Sequence, residues 1–289
     1  MFNELINISN TLQQNASIFM MLSVIFGLLV GSFLNVVIHR LPKMMAHEWH
    51  LNCLELQGKA APDTDTYTLA TPRSSCPICE HKISALENIP LISYIVLKGK
   101  CSHCKTPISL RYPIVEALTG ILIGLVSWKF GYSSTTLFAW IFVFALIALT
   151  FIDFDTQLLP DDITLPLLWL GLLFNLSNGF TDIKSAVVGA ATGYLTLWMI
   201  YWLFKLIRGK EGMGYGDFKL LAAIGAWFGW QILPAVILIS SAFAVIVGVS
   251  LILFKKRGRE VPMPFGPFLA IAGIAALFAR PQLASYYLG

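Results

Sequence analysis

Residues 18–38 read IFMMLSVIFGLLVGSFLNVVI, a run without one charged side chain. Crossing the hydrocarbon of a bilayer takes about 20 apolar residues in helical form, so this stretch reads as a membrane helix. Further apolar runs follow near 114–130, 135–152, 163–178, 185–207, 218–230, 232–254 and 265–280. The sixth and seventh of the eight are divided only by WQILP, residues 230–234. The expected fold is an all-α polytopic membrane protein with about eight transmembrane helices, or seven if those two runs are one.

The composition agrees. Apolar residues make up 56% of the 289 and charged ones only 12%, with a mean hydropathy of +0.72, whereas soluble domains carry about 25% charged residues. A net charge of +4 is modest, and no basic block is interleaved with aromatics, which excludes nucleic acid as a partner. The first seventeen residues, MFNELINISNTLQQNAS, contain one Glu and no Lys or Arg. A cleaved secretory signal needs a basic start, so the first run is expected to stay as a permanent helix.

Between the first two runs lies a polar stretch that holds all five cysteines. The expected division is a transmembrane helix over 1–40, a cytoplasmic domain over 41–112 and a transmembrane domain over 113–289. Orientation comes from the loop charges. All the basic residues except Lys129, Lys184 and Arg280 fall in 40–111, in 205–219 or in 255–259. Basic loops stay inside, which puts those three stretches in the cytoplasm.

Two carboxylates then stand out. Asp153 ends the third run in TFIDFDTQLLPDD, and Asp217 opens the sixth in GMGYGDFKLLAAIG. With one helix going out and one returning between them, both reach the cytoplasmic boundary. An aspartate before a helix has an ordinary reading as an N-cap, expected for Asp161 or Asp162 and available to Asp217. Ionisable groups at membrane depth are functional candidates by default, and Gly214 and Gly216 clear side chains from the backbone beside Asp217. Two close carboxylates share a proton. One can activate a water while the other polarises a carbonyl. Asp153 and Asp217 are the candidate catalytic pair, with Gly214 and Gly216 as candidate substrate-positioning residues.

The cysteines make a second constellation. Cys76-x2-Cys79 and Cys101-x2-Cys104 are separated by 21 residues, a pattern read as a closed structural zinc site. Two disulfides are the alternative, and a reducing cytoplasm argues against them. Cys53 is expected to be a half-buried small residue. His81 and His103 are expected beside the site rather than in it. Glu116 is a buried-acid candidate.

FIDFDTQLLPDDITLP, GMGYGDFKLLAAIGAWFGW, PFGPFLA, GLLVGSFLNVVIHRLP and RYPIVEALTG together resemble the hallmark segments of bacterial type IV prepilin peptidases, grouped with the Gly-x-Gly-Asp intramembrane aspartyl proteases. The likeness runs from about residue 24 to about 270. It implies aspartate-dyad catalysis by Asp153 and Asp217, with Asp155 and Asp161 in supporting roles. It implies cleavage of the short basic leader of prepilins and type II secretion pseudopilins at the inner membrane. N-methylation of the new N-terminus would follow, with S-adenosylmethionine as the donor. It implies the pilus or type II secretion assembly machinery as partners. No nucleotide-binding Gly-x-Gly-x-x-Gly follows a strand. A proton-coupled transporter using the same aspartates and a scaffold without chemistry are the alternative classes. The clustering of acids at one face, away from the midplane, argues against a transporter.

Overall fold

The computed structural model describes residues 10–59, 67–210, 212–255 and 263–288. Among the described residues, eight long helices stand at the eight apolar runs: α1 Ala16–Leu56, α2 Arg111–Phe130, α3 Ser134–Thr156, α4 Asp161–Asn175, α5 Ile183–Arg208, α6 Tyr215–Phe228, α7 Leu233–Lys255 and α8 Gly266–Leu288. Among the described residues β-structure is limited to two isolated bridges. The short break predicted at WQILP is a 3-10 turn over Trp230–Ile232, entered through Gly229 at φ +86°.

Among the described residues, five helical segments are long and apolar enough to cross a membrane: Ala16–Leu56, Arg111–Phe130, Ser134–Thr156, Ile183–Arg208 and Trp230–Leu253. α4 has only 15 residues, and the apolar stretch of α8 among the described residues is only Gly266–Ala279. α6 has 14 residues, about 21 Å at 1.5 Å per residue, less than the roughly 30 Å of hydrocarbon. Its surroundings account for this. Asp217, Phe218 and every residue from Leu220 to Phe228 are buried, and a helix buried all round lies inside protein rather than against lipid. α1 runs beyond its predicted apolar span, past Pro42 to Leu56.

The chain divides into two compact units, 1–148 and 149–289, with the division falling inside α3. In the first, α1 buries Phe19, Ser23, Gly27, Gly31 and Asn35 at four-residue spacing. That places them along one ridge. A Cβ on Gly27 would meet Ile123 Cβ at 2.9 Å, and one on Gly31 would meet Glu116 Cα at 2.9 Å. Small residues bring α1 and α2 this close, as is usual where lipid supplies no hydrophobic drive between helices.

The second unit is built around α6. Gly189 and Gly193 of α5 lie against the backbone of α6 at Gly225 and Leu221. On another side, Trp227 sits over Gly171 of α4, and its Nε1 donates to the Leu167 carbonyl at 2.8 Å. Asn175, fully buried at the end of α4, donates to the carbonyls of Ala226 and Trp227 at 2.8 and 3.0 Å. Its Oδ1 accepts from the N–H groups of Phe180 and Thr181 at 2.8 and 3.0 Å. One side chain thus satisfies carbonyls left open at a helix end and closes the turn after α4. α5 is capped at its start by Asp182, whose carboxylate accepts from Ser185 N–H at 2.9 Å, and at its end by Gly209 at φ +66°.

Candidate active site and metal centre

Asp153 lies one turn before the end of α3, and α3 stops where Gln157 turns at φ +55°. Asp217 is the third residue of α6. The fold brings the two together: both line one cavity of about 370 Å³ in the second unit. They are buried, at 4% and 7% exposure. They are close enough for the charge of one to act on the other.

The N-cap of α6 is Gly214, not Asp217. The backbone N–H of Asp217 donates to Gly214 O at 3.2 Å, and its side chain makes no cap. Instead Oδ1 is buried with no hydrogen-bond partner, an arrangement that costs about 1–3 kcal/mol or more for a charged group. Asp153 Oδ2 accepts from the backbone N–H of Gly266 at 3.0 Å. Gly214 lines the cavity, and a Cβ there would be 4.0 Å from Asp217 Oδ2. Gly216 also lines it, with its missing side chain replaced by Leu159, whose Cβ would lie 2.7 Å from a Cβ at 216.

The capping expectation for Asp161 and Asp162 is corrected. Pro160 occupies the N-cap position of α4, without a side-chain cap, and both aspartates lie in the first turn. Asp161 is paired with Lys219 Nζ at 2.7 Å. Asp155 is exposed. Sequence reasoning assigned no role to Gly266, Leu159 or Lys219. The only signal for Gly266 was the Pro-Phe-Gly-Pro break before the last apolar run.

In the first unit, Cys76, Cys79, Cys101 and Cys104 converge, with all four Sγ atoms within 4.8 Å of one another. Their turns repeat at an offset of 25 residues. Cys76 N–H donates to His81 O as Cys101 N–H does to Thr106 O, and Glu80 N–H donates to Cys76 O as Lys105 N–H does to Cys101 O. Glu80 and Lys105 take φ +56° and +60°, and the bridges Ser75–Lys82 and Lys100–Pro107 close the two turns alike.

The donor set fits a metal ion. The Cys76–Cys104 and Cys79–Cys101 sulfurs are 3.8 and 4.0 Å apart, against about 3.8 Å for the edge of a tetrahedron with 2.3 Å metal–sulfur bonds. All four are free thiols, so the disulfide alternative is not what the chain builds. Thr106, through its hydroxyl and its N–H, lowers Cys104 to about 6. The N–H groups of Cys79 and Ile78 lower Cys76. The His81 N–H favours the Cys79 thiolate, but burial and the three neighbouring sulfurs push that thiol up to about 12. Four cysteine sulfurs this close could hold one cation between them. His81 and His103 stand outside the cluster, with rings stacked at 5.7 Å. Glu87 faces His81 at 3.3 Å and is lowered to about 2 by the Ser102 hydroxyl and the Ser84 N–H. Cys53 is exposed rather than half-buried.

Glu116 is buried in α2, where its Oε2 accepts from Leu91 N–H at 2.9 Å. Leu91 takes φ +59°. The acid therefore joins the polypeptide after the first cysteine knuckle to the membrane helix.

Comparisons with known proteins give the family. Residues 25–130 match the bacterial peptidase A24 N-terminal domain, and 140–249 match the type IV leader peptidase family. A prepilin leader peptidase/N-methyltransferase of Aeromonas hydrophila is 53% identical over 91% of this chain and 92% of its own. Proteins of the same name from Stutzerimonas stutzeri and Pseudomonas aeruginosa are each 51% identical, covering 96% and 93% of both chains. No solved structure matches. Two matching domains and relatives of this identity along nearly the whole length have one reading: the chain belongs to the type IV leader peptidase family, peptidase A24.

Proposed function

We propose that the protein removes the short basic leader from type IV prepilins and type II secretion pseudopilins, and then N-methylates the exposed N-terminal residue. The observation that carries the cleavage reading is a pair of buried carboxylates on one cavity, one of which has an oxygen without a partner. The names of the relatives support both activities.

In this reading Asp153 and Asp217 are catalytic. One carboxylate takes a proton from water as that water attacks the scissile carbonyl. The other, protonated, hydrogen-bonds to the carbonyl oxygen and then protonates the departing amine. Neighbouring carboxylates hold one proton between them, which supplies both forms at once. The empty side of Gly214 gives an extended substrate room beside Asp217, and Gly216 lets the start of α6 close on Leu159. Both glycines position substrate. The four cysteines would hold a structural zinc ion, closed to catalysis by its full thiolate set. S-adenosylmethionine is the methyl donor that the family resemblance implies.

The three proposed regions are the first helix over 1–40, the zinc-binding domain over 41–112 and the peptidase domain over 113–289. The setting is the bacterial inner membrane with the site at the cytoplasmic face, supported by the basic residues of loops 40–111 and 205–219. An apolar pilin helix would lie in the same bilayer, and the pilus or type II secretion machinery would receive the product. A transporter is disfavoured because both acids sit at helix ends.

The test uses purified protein, a synthetic prepilin and labelled S-adenosylmethionine. Wild type cleaves and transfers label. Asp153→Asn and Asp217→Asn, inserted and folded normally, cleave neither prepilin nor pseudopilin. Processing by either variant overturns the assignment.

A further inference from the structure

Gly266 is the first residue of α8 and is buried. Its N–H belongs to the four at a helix start that have no partner within the helix, and it is used on Asp153 Oδ2 at 3.0 Å. Among the described residues Asp153 makes no other side-chain hydrogen bond, so Oδ1 is left to the cavity. A Cβ at position 266 would lie 2.6 Å from that same Oδ2 and 3.1 Å from Leu159 Cδ2. Leu159 also fills the space beside Gly216, next to Asp217. One leucine is thus packed against two glycine backbones, one adjoining each aspartate.

We propose that Gly266 is a positioning residue for peptide cleavage: its N–H fixes one oxygen of Asp153, and its bare Cα lets α8 approach closely enough to do so. This rests on the reading of Asp153 and Asp217 as the catalytic pair. The N–H donor costs no reorganisation during the reaction, because the helix start holds it in place before water or substrate arrives. The N–H acts on Asp153, so its loss slows the chemical step and leaves substrate binding intact.

Two variants test this. Gly266→Ala places a methyl group against the carboxylate. Glycolic acid incorporated at position 266 replaces the N–H by an ester oxygen and adds no volume, so it leaves the packing of α8 unchanged. Cleavage of a synthetic prepilin is followed beside Asp217→Asn, with elution profile and Tm in detergent as checks on folding. Loss of a hydrogen bond to a charged group predicts a fall in kcat of about 10- to 100-fold for both variants, with KM within about threefold of wild type. Adding Leu159→Ala to Gly266→Ala does not restore kcat, because the contact with Asp153 remains. Wild-type kcat in the ester variant, a change confined to KM, or rescue by Leu159→Ala overturns the proposal. Cleavage by Asp217→Asn overturns the underlying reading instead.

Discussion

Lys219 Nζ lies 2.7 Å from both carboxylate oxygens of Asp161, 58 residues away in the chain. The pair ties the first turn of α4 to the start of the second turn of α6, two positions beyond Asp217. The Asp161 and Lys219 side chains are 52% and 29% exposed, so the pair contributes at most about 1 kcal/mol. Asp161→Asn and Lys219→Gln are expected to leave Tm nearly unchanged and to lower cleavage a few-fold. The double variant should be no worse than either single one. Additive losses in a double-mutant cycle would show that the two side chains act separately.

The glycines between α5 and α6 make a sharper prediction. A Cβ on Gly189 would run into the carbonyl of Gly225, and one on Gly225 into that of Gly189. Backbone cannot step aside as a side-chain tip can, so Gly189→Ala and Gly225→Ala should each cost about 3 kcal/mol or more. Gly248→Ala is the control: among the described residues its Cβ would find only Met263 Cε, at 3.4 Å. It should be neutral or slightly stabilising, since alanine favours helix over glycine. Thermal unfolding in detergent separates the three.

Metal content provides another check. Protein purified under reducing conditions should carry about one zinc per chain. Cys76→Ser, Cys79→Ser, Cys101→Ser and Cys104→Ser should each lose it, while the exposed Cys53→Ser retains it. Elemental analysis of the five variants decides. A metal-free wild type would refute the assignment.

Asp182 supplies a pH dependence. Ser185, through its side chain and its N–H, holds this carboxylate below its ordinary 3.8. The folded value is therefore lower than the unfolded one. The stabilisation is complete above about pH 3.8 and disappears as pH falls through the lower, folded value. Wild type should have a higher Tm than Asp182→Ala at pH 7, with the gap closing below pH 3.8. A constant gap down to pH 3 would mean that the cap does not depend on its charge.

The Asp153–Asp217 neighbourhood was legible because a charge at the edge of an apolar run is costly, and two such charges at topologically matched helix ends invite pairing. The cysteine knuckles were legible because spacing alone fixes which thiols share a turn. The ion pair of Asp161 was not. An acid at the start of a helix looks the same in sequence whether it caps that helix or reaches Lys219 on another. Hydropathy also failed to separate α6, enclosed by protein, from helices that face lipid, since both interiors are apolar. Gly266 was hidden for a different reason: its contribution is a backbone N–H, which every residue except proline possesses. Only the approach of α8 to Asp153 gives it meaning.

The doubled turn around the cysteines has a consequence for how that region comes to exist. Each copy, Ser75–Lys82 and Lys100–Pro107, is a single bridged loop holding half of the four-cysteine cluster. The copies do not interleave, and each turn is closed by its own hydrogen bonds. An ion held by all four cysteines would draw them into one body. Assembly would then behave as a capture event that depends on metal supply, and a sufficiently strong chelator would reverse it without breaking a covalent bond.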